Sequence, residues 1–358
     1  MTLRRNLGAL AGAALAVAVL AAGDMTVTDL LNVRTYAEEA YYQYNLGNGP
    51  GAAAAVTLPP LVVLGGLVVV GMRRLLAVEP ARLPSAAGRA KVWRLGPWRA
   101  VVGAALGAFL AGFVALPLYS LLWRAGRVGG VAATGRSPRW SFAGLLGTLQ
   151  FAWADSSEAL GQSLLWAAIA AMAAVVLAWA LAWKGRRSSA WRWVTAASVA
   201  FALAAPGPVA GMALVYAYRS FPLLYDSAGM IVLAGVLRTF PYALLVLWPA
   251  VRALPPEFLD AAAVDGLGPG GQARRVAIPL TRAAIVAAWC VAFALALGEL
   301  PATNLVTPPG VTPLPVVIWS LLHTGVESHT AGVVLVMLAA VAAAGLFALL
   351  TLRRLRPP

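Results

Sequence analysis

The chain has 358 residues, of which 61% are apolar and 11% are charged, and its mean hydropathy is +0.80. About a quarter of the residues in a soluble domain are charged, so this composition excludes a soluble globular enzyme and a disordered chain. The formal net charge of +14 could suit a nucleic-acid-binding protein, but the arginines cluster in short segments between apolar runs, as they do in membrane proteins.

Eight apolar runs reach or approach the roughly 20 residues that cross a bilayer core as a helix. Backbone groups in lipid must be bonded within the chain, so the runs predict an all-α polytopic membrane protein with about eight transmembrane helices. In chain order they are Leu7–Gly23, Ala52–Gly71, Ala100–Trp123, Gly161–Trp183, Trp193–Tyr216, Ala228–Trp248, Ala283–Leu300 and Ala331–Leu352. Prolines within them predict kinks at Pro59, Pro60, Pro117, Pro206, Pro208 and Pro241.

The distribution of basic residues predicts the orientation. With both termini in the cytoplasm, 20 of the 27 lysines and arginines lie in inner segments and 6 lie in outer ones. Positive charge is enriched in cytoplasmic segments, so we expect the N-terminus and the C-terminus inside. Only the Arg124–Arg139 loop runs against this rule.

The first run has a second interpretation, because Arg4, Arg5, the apolar stretch and Ala21–Gly23 resemble a secretory signal peptide. An internal repeat favours a retained span instead. Residues Ala22–Leu30 resemble Leu297–Leu305 at a constant offset of 275. Four pairs coincide, namely Gly23 with Gly298, Asp24 with Glu299, Thr28 with Thr303 and Leu30 with Leu305. We therefore predict a two-span unit used twice, as in internally duplicated transporters, with chance similarity as the alternative.

The repeat divides the chain into three parts. Residues 1–75 are predicted to be the last two transmembrane helices of a truncated first half, which would lack its first four spans. Residues 76–98 are predicted to be a cytoplasmic connector. Residues 99–358 would form a second half with six transmembrane helices.

The segment between the sixth and seventh runs has an unusual pattern. Pro255 and Pro256 end one helix, and Glu257 and Asp260 fall in the first turn of the next, where acids oppose the positive end of the helix dipole. Ala261–Ala263 is strongly helix-forming and small enough for another protein to approach closely. Breakers follow at Gly266, Gly268 and Pro269, and a second short helix, Gly271–Ala277, is predicted to lead through Pro279 into the next span. The alternative is an ordinary polar connector.

This segment resembles the EAA motif of binding-protein-dependent ABC importer permeases. Asp260 stands where the family usually has Glu, Val276 stands in the Ile position, and the other motif positions match at Ala261, Ala262, Gly266 and Pro279. The resemblance implies a type I importer permease whose short helix couples to a cytoplasmic ATPase subunit. The residues implied in this coupling are Glu257, Asp260, Ala261, Ala262, Asp265, Gly266, Gly268 and Pro279.

Four further stretches resemble the iron(III)-transporting branch of these permeases, with thiamine permeases close by. They are Ala205–Gly211, Leu224–Ser227, Leu237–Tyr242 and Gly298–Thr303. Members of that branch often carry two EAA loops in one chain. At the offset of 275, Asp260 would map before Met1, so the first loop is expected to be absent. Iron(III) is the implied solute, and thiamine, a polyamine or another small solute is the alternative.

The resemblance also implies partners and a location. They are an ABC ATPase dimer, an extracytoplasmic solute-binding protein and a second permease chain, in a bacterial inner membrane. The sequence has no G-x-x-x-x-G-K-[ST] phosphate loop, which agrees with ATP hydrolysis in a separate subunit. Neither a catalytic residue nor a cofactor, metal site or nucleic-acid partner is expected. Cys290 is the only cysteine, and His323 and His329 are predicted on an outer loop without further ligands.

Three charged residues are candidates for the translocation path. Arg238 lies deep within a predicted span, where it would line the path or bond a helix carbonyl near Pro241. Glu299 and Asp24 lie at equivalent outer ends of two spans, where they would face a solute vestibule or bulk water. Two functions of other classes stay open, namely an ion-coupled secondary transporter and a scaffold or non-functional truncated permease.

Overall fold

The computed structural model describes residues 25–46, 49–77, 96–129, 137–324 and 326–355, with the isolated positions 14, 17, 18, 21 and 23. These residues are almost entirely helical. The helices are α1 (Thr26–Leu30), α2 (Tyr36–Asn45), α3 (Gly49–Ala77), α4 (Trp98–Gly126), α5 (Phe142–Arg187), α6 (Ser189–Ala204), α7 (Gly207–Tyr218), α8 (Pro222–Tyr225), α9 (Gly229–Arg252), α10 (Pro256–Val264), α11 (Pro269–Gln272), α12 (Ile278–Leu297), α13 (Pro301–Val306), α14 (Leu314–Thr324) and α15 (Glu327–Leu355). Strands β1 (Arg127–Val128) and β2 (Arg139–Trp140) pair antiparallel between α4 and α5.

The fold class is the predicted one, an all-α polytopic membrane protein. Among the described residues, five helices are long and apolar enough to cross a membrane, or six if the bent pair α6 and α7 is one span. Helix α3 contains a shorter apolar helix, Ala55–Gly71. Seven of the eight predicted runs therefore coincide with apolar helices, and Leu7–Gly23 lies almost entirely outside the described residues.

One compact unit comprises the described residues within Met1–Arg82, Ser163–Thr312 and Gly345–Pro358. Its centre is α9, which packs along α12 and also against α6, α7 and α13. Small residues let these helices approach closely, as is common between membrane helices. A Cβ atom on Gly235 of α9 would lie only 2.8 Å from the Cβ of Ala170 in α5.

The predicted span Trp193–Tyr216 is not one continuous helix. Helix α6 ends at Ala204, α7 begins at Gly207, and the two helices are bent by 110°. Ala205 and Pro206 between them are extended, because a residue before proline is driven out of the helical region. Pro208, also expected to kink this span, lies in the first turn of α7. The remaining prolines expected to kink spans lie inside helices that continue through them, namely Pro59, Pro60, Pro117 and Pro241.

The short helix predicted at Gly271–Ala277 also differs. It begins at Pro269 and continues without a break through a π turn, Ala273–Ala277, into α12. The amide of Ile278 donates to the carbonyl of Ala273, five residues back. Pro279 has no amide hydrogen and its ring crowds the carbonyl four residues earlier, so widening the preceding turn accommodates it.

A second compact unit comprises the described residues within Leu83–Gln162 and Pro313–Ala344. Its buried residues Ala125, Leu145 and Ala331 join α4, α5 and α15. The predicted outer loop with two histidines is largely helical. His323 lies in α14, and His329 lies in the first turn of α15, where its Nε2 is 3.2 Å from the Asp155 carboxylate.

The helices recur at the offset that the sequence repeat indicated. Shifted by 275, α1, α2 and α3 fall on residues 301–305, 311–320 and 324–352, which overlap α13, α14 and α15. Helix α2 was not predicted from sequence. The division of the chain at residues 75 and 98 stays a prediction.

Helices α7 and α13 pack through two glycines. A Cβ atom on Gly207 would lie 2.5 Å from Cβ of Pro301, and one on Gly211 would lie 3.0 Å from the carbonyl oxygen of Ala302. Real Cβ atoms essentially never lie as close as 2.5 Å to another atom. A side chain at Gly207 therefore requires α7 and α13 to separate.

We predict that Gly207→Ala destabilises the protein by about 1–3 kcal/mol, the usual cost of overpacking a core. Gly112→Ala in α4 is the matched control, because a Cβ atom there meets nothing within 4 Å and alanine favours a helix. Thermal unfolding of the purified protein in detergent measures both variants. Equal melting temperatures for Gly207→Ala and Gly112→Ala would contradict the packing.

Candidate functional site

The segment of residues 254–280 begins with a short helix that has two different faces. Pro255 is extended and Pro256 starts α10, because proline needs no amide partner at this position. Leu259 and Ala262 are three residues apart and buried on one side. Glu257, Asp260 and Ala261 are exposed on the rest of the surface. The two alanines of the motif therefore differ, since Ala261 can meet a partner and Ala262 packs inward.

The exposed surface of α10 combines apolar and acidic side chains. Val264 is 88% exposed and Phe258 is 54% exposed, beside the exposed acids Glu257, Asp260 and Asp265. Sequence reasoning missed both apolar residues. Helical spacing could have indicated them, because Phe258 and Val264 do not share the buried side of α10 with Leu259 and Ala262. Large exposed apolar side chains rimmed by charge are typical of a protein-binding surface.

The end of α10 is closed by a glycine turn. Gly266 has a φ of +82°, which side chains rarely adopt. The amide of Leu267 donates to the carbonyl of Ala262 (2.9 Å), and that of Gly266 donates to Ala263 (3.0 Å). This is the Schellman arrangement, in which a left-handed residue after the helix satisfies its last carbonyls. Gly268 is extended and precedes α11.

The segment is fastened at both ends by arginines from the end of α5. Arg186 Nη2 donates to the Leu254 carbonyl (2.8 Å), and Arg187 Nη2 donates to Oε1 of the buried Gln272 (3.3 Å). Gln272 Nε2 in turn donates to the Leu267 carbonyl (3.0 Å). Arg186 also interacts electrostatically with Asp260. Sequence reasoning counted these arginines only as markers of orientation.

Pro279 is the second residue of α12 and is exposed. Its place after the π turn ties the end of the motif to the start of a candidate membrane span. The 254–280 segment thus forms one braced piece that joins the end of α9 to α12.

A second group of polar residues lies at the break between α6 and α7. The last carbonyls of α6 have no partners within that helix. Tyr36 donates its phenol hydrogen to the Ala204 carbonyl (3.0 Å), and Arg238 Nη1 donates to the Ala205 carbonyl (2.8 Å). Arg238 is near the middle of α9, and its carbonyl partner lies at the Pro206 break rather than near Pro241.

Glu299 closes the other side of this group. It is buried, and its carboxylate accepts hydrogen bonds from the amides of Ala302 (3.0 Å) and Thr303 (2.8 Å) and from the Thr303 hydroxyl (2.6 Å). It lies 4.0 Å from Nε of Arg238. The structure therefore brings together two of the three path candidates, and the third, Asp24, lies outside the described residues.

Tyr36 belongs to α2, which lies outside the candidate spans. Burial raises the pKa of its phenol to about 12, and the positive charge of Arg238 acts in the opposite direction. The phenol is therefore neutral at physiological pH and available as a donor.

The chain belongs to the family of binding-protein-dependent transport system inner membrane components, whose model matches residues 174–357, just over half of the 358 residues. The matched range contains the 254–280 segment, Arg238 and Glu299.

Individual relatives carry several different names. The chain is 28% identical over 139 residues to the putative 2-aminoethylphosphonate transport system permease protein PhnV of Salmonella paratyphi A, covering 38% of this chain and 52% of that protein. It is 29% identical over 116 residues to the putrescine transport system permease protein PotI of Escherichia coli K12, covering 32% and 41%. It is 33% identical over 112 residues to the molybdenum transport system permease protein ModB of Mycobacterium bovis, covering 28% and 42%. The chain spans about half the length of the curated relatives that it matches.

We predict that Gln272→Leu loosens the 254–272 stretch, because it removes the hydrogen bonds of the buried Gln272 side chain with Arg187 and with the Leu267 carbonyl. The loss of one such hydrogen bond typically costs about 0.5–1.5 kcal/mol. Hydrogen exchange of the amides of residues 257–272 should speed up. Gln162→Leu is a matched change in α5, where the side-chain amide of Gln162 donates to Glu158, and it should leave these amides unchanged. Identical exchange in the two variants would contradict the bracing role.

Proposed function

We propose that this member of the family is a membrane-spanning permease subunit of an ATP-driven importer, and that a separate ATPase subunit grips its 254–280 segment. The observation that carries the proposal is α10, a braced helix with exposed Val264 and Phe258 among three acids. The family match supports the transport class. ATP hydrolysis would take place in the ATPase subunit, so the chain itself is not an enzyme.

The bracing supplies a route for mechanical coupling. A flexible loop would absorb the motion of the ATPase, whereas α10 is closed by the Gly266 turn and fastened by Arg186 and Arg187. Displacement of α10 would therefore move the ends of α9 and α12. Because α9 packs against α6, α7 and α13, the displacement would reach the broken helices and alternate the access of the solute path.

The chemistry of α10 indicates its counterpart. A complementary cleft would take Val264 and Phe258 into an apolar floor and place basic side chains opposite Glu257, Asp260 and Asp265. Charges that face each other across an interface select the partner and speed association. Asp260 has a shorter side chain than the usual glutamate, so its contact requires a closer approach of the partner.

The assembly would contain further proteins. We propose a bacterial inner-membrane location with both termini in the cytoplasm, which the excess of basic residues in the predicted inner segments supports. An ABC ATPase dimer, an extracytoplasmic solute-binding protein and a second permease chain complete the proposed importer. The proposed ATPase dimer has two subunits, and the second permease chain would engage the subunit that α10 of this chain does not. Residues 1–75 would be the end of a first permease half and 99–358 a second half, which the helices recurring at the offset of 275 support.

Two kinds of similarity bear on the identity of the solute. The four stretches in Ala205–Gly211, Leu224–Ser227, Leu237–Tyr242 and Gly298–Thr303 favour iron(III). The names of relatives refer to 2-aminoethylphosphonate, putrescine and molybdenum, so another small solute fits equally. Uptake assays should therefore include iron(III), 2-aminoethylphosphonate, putrescine and molybdate.

We predict that Asp260→Lys weakens binding of the ATPase by at least about tenfold and abolishes ATP-driven uptake, because it places a positive charge against a basic cleft. Asp226→Lys is the control, since it makes the same charge change at an exposed residue. Asp226 precedes α9 in the sequence, whereas Asp260 follows it. Co-purification with the ATPase and uptake into membrane vesicles measure both. Normal binding and uptake in Asp260→Lys, or equal losses in both variants, would refute the coupling role.

A further inference from the structure

We propose that Tyr36, Arg238 and Glu299 form a polar latch that joins the two helix interruptions of the first compact unit, so that α7 and α13 move as one body. The joint motion rests on the proposed permease function. The latch itself is a property of the folded chain and can be measured without any partner.

Two interruptions are built alike. The first follows Ala204, where α6 ends, and the second follows Leu297, where α12 ends. Each is followed by a short helix with proline in its first turn, Pro208 in α7 and Pro301 in α13. The two short helices pack face to face through Gly207. Each interruption leaves backbone groups that need partners, because such groups are costly to leave unbonded away from water.

The latch satisfies groups of opposite kinds at the two interruptions. At the first, Tyr36 and Arg238 supply donors for the carbonyls of Ala204 and Ala205. At the second, Glu299 supplies acceptors for the amides of Ala302 and Thr303. Neither set of bonds links the interruptions by itself.

The link is the charge pair. Nε of Arg238 lies 4.0 Å from the Glu299 carboxylate, and the side chains are only 21% and 6% exposed. Attraction between charges at this separation is much stronger in a low-dielectric interior than in water. Removal of one partner leaves the other as a buried unpaired charge, and that partner is itself bonded to the opposite interruption.

This arrangement differs in its consequences from two independent helix caps. With independent caps, a change at Arg238 would loosen only residues 204–211, and a change at Glu299 only residues 299–306. With a latch, either change loosens both stretches. It also differs from a solute-binding arginine, because the charge of Arg238 is balanced inside the protein and is not offered to a solute.

Hydrogen exchange of the purified full chain in detergent tests the latch. In Arg238→Met and in Glu299→Gln we expect about tenfold faster exchange at the amides of both 204–211 and 299–306. Arg282→Met and Glu257→Gln are matched controls at exposed residues and should leave both stretches unchanged. Faster exchange confined to the stretch that each residue caps would overturn the proposal.

A milder variant covers the case in which Arg238→Met fails to fold. Arg238→Lys keeps the positive charge but not the guanidinium geometry, so it should speed exchange at 204–211 and leave 299–306 close to the wild-type rate. If Arg238→Lys loosens 299–306 as much as Glu299→Gln does, the charge pair is not the link and the proposal is wrong.

Transport kinetics separate the latch from solute binding. If α7 and α13 move together, Arg238→Met lowers the kcat of ATP-driven uptake and leaves the KM near that of wild type. A raised KM for an anionic solute with unchanged exchange would instead make Arg238 a solute ligand and overturn the latch. Absence of ATP-driven uptake by the wild-type assembly would refute the proposed importer function. The hydrogen-exchange result would still show whether the latch exists.

Discussion

The structure of the first compact unit depends on how an interrupted helix satisfies its backbone in an apolar environment. Helix α6 ends at Ala204, and the extended residues Ala205 and Pro206 do not continue its pattern of backbone hydrogen bonds. In lipid an unbonded carbonyl costs several kcal/mol, so donors must come from elsewhere in the chain. Tyr36 and Arg238 supply them from α2 and α9. This requirement brings three segments distant in sequence to one point.

Helix α9 connects this point with the 254–280 segment, which is proposed to bind the ATPase subunit. It contacts α6, α7, α12 and α13 along its length, and its last residue lies four before Pro256, where α10 begins. The bracing by Arg186 and Arg187 stiffens the loop, and the small residues around Gly235 stiffen the helix packing. A rigid connection of this kind suits the proposed coupling to a separate ATPase subunit, because a displacement of α10 would reach the broken helices with little loss.

Composition and periodicity were sufficient for the fold class and for most helix positions. A membrane span requires a long apolar run and no particular partner, so seven of the eight runs coincide with apolar helices. The glycine turn at Gly266 was also readable, since breakers after a short alanine-rich helix act locally. Prolines were less informative. Pro241 lies within a continuous helix, whereas Pro206 marks a 110° bend. At the Pro206 bend, Tyr36 and Arg238 donate hydrogen bonds to the carbonyls of Ala204 and Ala205.

The sequence alone thus determined membrane insertion, the repeat at an offset of 275 and the motif of residues 254–280, because each depends on residue type and spacing within one stretch. Only the tertiary structure decided that Arg238 forms an ion pair with Glu299 and that Gln272 accepts a hydrogen bond from Arg187. It also decided that Ala261 is exposed while Ala262 is buried. These features depend on which helices become neighbours. That choice is made by the close packing of many small side chains, and no single stretch of sequence contains it.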